Sequence, residues 1–157
     1  MTSQSRKIDA AELVRNCACF NLRKAARAAT QLYDAALEPS GLRATQISVL
    51  VAIALHGRVP LGRLAETLVM DRTTLTRNLR PLEKQGWVVD ERGPDRRERY
   101  LELTRAGRAV LERALPLWHG VQSRVAAALG AGRLAGLVGE LDAVIRAVRS
   151  ESAADRR

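Results

Sequence analysis

Residues 59–88 read VPLGRLAETLVMDRTTLTRNLRPLEKQGWV, and the spacing of their leucines decides the fold. Leu61, Leu64, Ala65 and Leu68 fall on one face of a short helix. The VMD segment breaks it, and Asp71 is placed to cap the helix that follows. In that second helix Leu75, Leu79 and Leu82 recur at i, i+4 and i+7, and Gly86 ends it. Two short helices joined by a brief turn are a helix-turn-helix.

Just downstream the apolar period changes from helical to two. WVVDER (87–92) and RERYLEL (97–103) read as two strands, with GPDR (93–96) as the hairpin tip. Leu101 and Leu103 point to one face, and Glu98, Tyr100 and Glu102 to the other. The predicted fold is mainly α: a winged helix-turn-helix over 45–103 with a two-stranded wing, flanked by long helices. Upstream, 9–37 reads as one long helix, stopped by Pro39 and Gly41, and TQISVLVAIAL (45–55) as a buried helix apolar on nearly every side. Downstream, Thr104 caps a helix over 105–129 that Pro116 and Gly120 bend. GAG (130–132) reads as a hinge. A last helix over 133–149 carries Leu134, Leu137, Val138, Leu141, Val144, Ile145 and Val148 at helical spacing, and 150–157 reads as a frayed tail. The outer helices, 9–37 and 105–149, are the expected dimerisation elements.

Composition narrows the function. The chain has 157 residues and a formal net charge of +9, which suits a polyanionic partner such as double-stranded DNA. That excess is spread along the sequence, so the case for DNA rests on pattern. No apolar run reaches the roughly 18 residues of a membrane span, and the first residues lack a signal-peptide block, so the cytoplasm is expected. An enzyme is not expected: His56 and His119 each stand alone, and there is no glycine-rich phosphate loop. No cofactor and no metal site are expected.

On a helical wheel, Thr73, Arg77, Arg80 and Lys84 lie opposite the leucine stripe, with Thr74 and Thr76 on its shoulders. Arginines bond guanine edges in pairs, and threonine hydroxyls reach base edges or phosphates. Pro81 interrupts the ladder, which gives the reading to the N-terminal half. A solvated basic face would look the same on the wheel. The hairpin separates the two readings, because Arg92, Arg96, Arg97 and Arg99 gather near its tip, where an arginine can enter a narrow minor groove. The rival within DNA binding is a sequence-neutral architectural protein.

DRRERYLELTRAG (95–107) resembles the wing of the MarR family of bacterial transcriptional regulators, matching at Asp95, Arg97, Leu101, Leu103, Thr104 and Gly107. TTLTRNLRPLEKQGWV (73–88) is similar to that family's recognition helix and its exit. The resemblance implies a homodimer built on the outer helices, a palindromic operator, and usually repression relieved by a small molecule or an oxidant. It also implies that Arg97 enters the minor groove and that Asp95 orients the wing arginines through an ion pair.

The two cysteines, Cys17 and Cys19, lie in RNCACFNLRKAARAATQLYD (15–34). In an unbroken helix, residues two apart point about 200° apart, so the pair would neither bridge nor clasp one metal. Cys17 falls on a packing stripe with Leu13 and Phe20. Cys19 lies between Arg15 and Arg23, on a stripe that leads to Tyr33. Cys19, Phe20, Arg27, Thr30 and Tyr33 resemble the organic-hydroperoxide-sensing branch of the family, in which a tyrosine of the other subunit stabilises the reactive thiol. Arg23 and Ala44 stand where that branch has tyrosines. Three readings stay open: two packed thiols, an oxidant or electrophile sensor at Cys19, or a thiophilic metal shared between subunits.

Overall fold

The computed structural model describes residues 10–93 and 98–154. Its helices are α1 (Ala10–Asn16), α2 (Ala18–Leu37), α3 (Ala44–His56), α4 (Leu61–Thr67), α5 (Arg72–Lys84), α6 (Arg105–Leu129) and α7 (Ala131–Ala154). Its strands are β1 (Val59–Pro60), β2 (Val88–Arg92) and β3 (Arg99–Leu103). The chain divides into two compact units, the first ending at Leu115 and the second starting at Pro116, within α6. No helix among the described residues is long and apolar enough to cross a membrane.

The first unit is a winged helix-turn-helix. Val49, Leu50 and Ile53 of α3, Leu64 of α4, Leu75, Leu79 and Leu82 of α5, Leu101 of β3 and Val110 of α6 are completely buried. Each contributes about 1.5–3 kcal/mol by leaving water. The sheet is antiparallel with order β1-β3-β2, Val59 facing Leu101 and Val88 facing Leu103. The wing therefore has a third strand beside the two expected. β1 is only two residues long and ends in Pro60, too little to register as period-two alternation.

The turn between α4 and α5 closes as a Schellman motif. Val69 N–H donates to Glu66 O and Met70 N–H to Ala65 O. Val69 takes the left-handed position at φ +53° that glycine normally fills. α5 ends in the same motif, with Gly86 at φ +70°, Gly86 N–H on Glu83 O and Trp87 N–H on Leu82 O. Pro81 lies within α5, which continues to Lys84 instead of breaking.

Thr104 joins three segments. Its N–H donates to Trp87 O, its hydroxyl donates to Gly86 O at 2.6 Å, and the same hydroxyl accepts from Gly107 N–H at 2.9 Å, capping α6. A Cβ at Gly107 would collide with the Trp87 carbonyl, so only glycine fits there.

Three further sequence expectations change. The helix expected over 9–37 breaks at Cys17, which is extended (φ −75°, ψ 109°) and caps α2, its Sγ accepting from Phe20 N–H at 3.4 Å. The Asn21 side chain donates to Val14 O and Cys17 O, each at 3.0 Å, and so satisfies carbonyls at the end of α1. In the second unit the expected hinge narrows to Gly130 (φ +88°), and α7 runs from Ala131 to Ala154, through part of the expected frayed tail. Leu137, Val138, Leu141, Val144, Ile145 and Val148 of α7 are exposed.

Candidate nucleic-acid interface

The outward face of α5 is set by its cap and its core stripe. Asp71 accepts from Thr74 N–H at 2.8 Å and from the Thr74 hydroxyl at 2.6 Å. The Thr74 hydroxyl is the main cause that holds the Asp71 carboxyl below its ordinary range, with the backbone bond adding to it. The Thr76 hydroxyl donates back to Arg72 O at 2.8 Å. Thr74 and Thr76 are thus half-buried and engaged by the helix itself. Thr73, Arg77 and Arg80 are exposed. With Arg72 and Thr76 they line a concavity of about 370 Å³, and no carboxylate among the described residues lines it.

A second concavity, of about 350 Å³, opens on the other side of Arg77. Arg43, Thr45 and Gln46 from the start of α3 face Arg77, Asn78 and Pro81 across it. Sequence reasoning missed these α3 residues. Their signal is a polar first turn on a helix that is otherwise apolar.

Arg99, expected at the wing tip as a DNA contact, is engaged in the protein. Its guanidinium hydrogen-bonds the Asp90 carboxylate and lies 3.8 Å from Glu83 Oε1. The bond to Asp90 is the main cause that pushes the Arg99 pKa up. Asp90 is paired with Leu101 in the ladder, so it reaches Arg99 diagonally along the inner face. That face changes from Val88, Leu101 and Leu103 to Asp90 and Arg99 as the hairpin leaves the core, and Glu83 ties it to α5. On the other face, Arg58 stacks 4.2 Å from the centre of the Tyr100 ring. The Tyr100 hydroxyl donates to Glu98 at 2.9 Å, a bond that pushes the Tyr100 pKa up. Asp95, Arg96 and Arg97, the other expected wing residues, lie outside the described residues.

Cys19 is exposed on α2 and Tyr33 is half-buried further along the same helix. Fourteen residues of helix separate them by roughly 21 Å. Cys17 and Cys19 do not share an unbroken helix, because Cys17 precedes α2 as its cap. With Cys17 extended, the angular separation expected within one helix does not apply. Among the described residues, no three His, Cys, Asp or Glu side chains gather as metal ligands.

Comparison with known proteins gives this geometry a setting. The MarR family profile matches residues 42–98, from the approach to α3 into the wing. The Mycobacterium tuberculosis transcriptional regulator MosR, solved in complex with DNA, is 43% identical. The likeness covers 85% of this chain and 98% of that one, with a TM-score of 0.75. The HTH-type transcriptional regulator YwoH of Bacillus subtilis is 32% identical over 84 residues, 54% of this chain and 61% of YwoH. The chain thus spans about three fifths of that relative's length. The organic hydroperoxide resistance transcriptional regulator of Bacillus subtilis is 29% identical over 103 residues, 65% of this chain and 70% of that protein. A winged helix of this topology, matched over nearly the whole of a DNA-bound regulator at this identity, places the chain in the MarR family of transcriptional regulators.

Proposed function

We propose that the chain is one subunit of a homodimeric repressor that reads a palindromic operator through α5. The observation that carries this reading is the outward face of α5. Thr73, Arg77 and Arg80 are left exposed there, while Thr74, Thr76 and Arg99 serve the fold. Arg77 and Arg80 would bond base edges from the major groove. Arg97 would enter the minor groove, with Asp95 orienting it. The exposed apolar stripe on α7 supports a two-fold partner, and a two-fold protein suits a palindrome.

A small organic ligand or thiol oxidation would relieve repression. The exposure of Cys19 supports the second route, as does the likeness to a hydroperoxide resistance regulator. A hydroperoxide would transfer its distal oxygen to the Cys19 sulfur, leaving a sulfenic acid and the alcohol. Tyr33 of the partner subunit would stabilise the thiol.

The test is a footprint on fragments selected from genomic DNA, with reductant, organic hydroperoxide or aromatic acids added in turn. A discrete palindrome, released by one of these additions, is expected. Uniform coverage would favour a sequence-neutral architectural binder. Arg77→Ala is expected to cost about 1–3 kcal/mol at the operator and to relax base preference there.

A further inference from the structure

We infer that Arg43, at the start of α3, is a DNA-backbone clamp: it closes on a phosphate in the concavity beside Arg77 and leaves Asp34 to do so. This rests on the reading of α5 as the DNA-facing helix.

The local structure separates the anchored part of Arg43 from its free part. Its backbone is fixed, with the Arg43 N–H on Gln46 Oε1 at 2.9 Å and the Gln46 N–H on Arg43 O at 2.9 Å. Its side chain is 75% exposed and meets Asp34 Oδ2 only at 3.8 Å. That distance exceeds a hydrogen bond, and an exposed ion pair contributes little. The other Asp34 oxygen accepts from Ala44 N–H at 2.7 Å and so caps α3 by itself. Arg43 can therefore leave without unmaking the cap.

The concavity offers the guanidinium a better partner. Arg43 and Arg77 stand on its two walls, with Thr45 and Asn78 as further donors, and no carboxylate among the described residues lines it. A helix lying in a major groove has a sugar–phosphate strand on each side, since the groove is about 12 Å wide. The Arg43 side of α5 is where one strand would pass. A phosphate accepts two parallel N–H bonds from a guanidinium, which the distant Asp34 oxygen does not. Arg77 would then point to bases while Arg43 holds the strand beside them.

The two roles separate by salt. Binding is measured by fluorescence anisotropy on the selected operator and on a random duplex of equal length, across a salt series. Arg43→Ala is expected to weaken both duplexes alike, by about fivefold per subunit at about 0.15 M salt. It should make the slope of log affinity against log salt shallower by about 0.9 per subunit. Arg43→Lys should keep the slope, because the charge remains. Arg43→Gln, a second neutral variant that keeps a long side chain, should behave like the alanine variant. An unchanged slope in both neutral variants overturns the clamp, and so does a loss confined to the operator. The slope on the random duplex decides the clamp whether or not an operator exists, so uniform footprint coverage would defeat the regulator reading alone.

Discussion

Val69 takes a backbone conformation that costs a β-branched residue roughly 1–2 kcal/mol. The residue is 55% exposed, so little packing offsets that cost. Val69→Gly should therefore stabilise the protein by up to about 1 kcal/mol, after the entropy that glycine adds to the unfolded chain. A higher urea midpoint with an unchanged slope would show it, and a lower midpoint would contradict it. Asp71, two residues on, makes stability depend on pH. Its folded pKa is depressed, so in acid the unfolded chain binds the proton first. The stabilisation is fully present above the unfolded value of about 3.9 and is lost as pH falls through the lower folded value. Asp71→Ala should melt below wild type at neutral pH, and the gap should close in acid. Melting curves from neutral pH down to about pH 2 would check this, and a gap that stays constant would contradict it.

At the scale of elements, Arg99 is the tie between the wing and α5. Without it, the half-buried carboxylates of Asp90 and Glu83 face each other with no cation between them. Arg99→Ala should cost about 1–2 kcal/mol, since the site is partly solvated. It should also raise amide exchange in β2 and β3 before it affects α3. Exchange that rises evenly across the unit would argue against a local tie. Element type was readable wherever a periodic stripe met a capping residue. The sequence expectation of a helix over 105–129 matches α6, because Thr104 caps it and Gly130 ends it. The break at Cys17 was not readable. No glycine or proline marks it, and it depends on the Asn21 amide reaching back to carbonyls of the preceding segment. At Pro81 the reading and the structure agree, since the leucine stripe runs past it to Leu82 and α5 continues to Lys84 before Gly86.

At the scale of the whole molecule, the proposed dimer is tested on the exposed apolar stripe of α7. Wild type should sediment as a dimer at micromolar concentration. Leu141→Glu with Ile145→Glu should give a monomer of unchanged helicity, with DNA affinity lost to the same degree as dimerisation. A double variant that stays dimeric would place the seam elsewhere. The candidate interface was half legible from sequence. The wheel found the face of α5, but pairing it with Arg43, some thirty residues earlier, needs the tertiary packing of α3 against α5. The Thr104 junction bears on modularity. The strands end at Leu103, and a recombination boundary drawn there looks natural. Yet Gly107 is fitted to a carbonyl on the far side of the hairpin, and Thr104 bonds the residue that ends α5. A chimera that swaps the winged helix between relatives keeps this junction whole by crossing over beyond the first turn of α6, where the cap, the glycine and the carbonyls they meet all come from one parent.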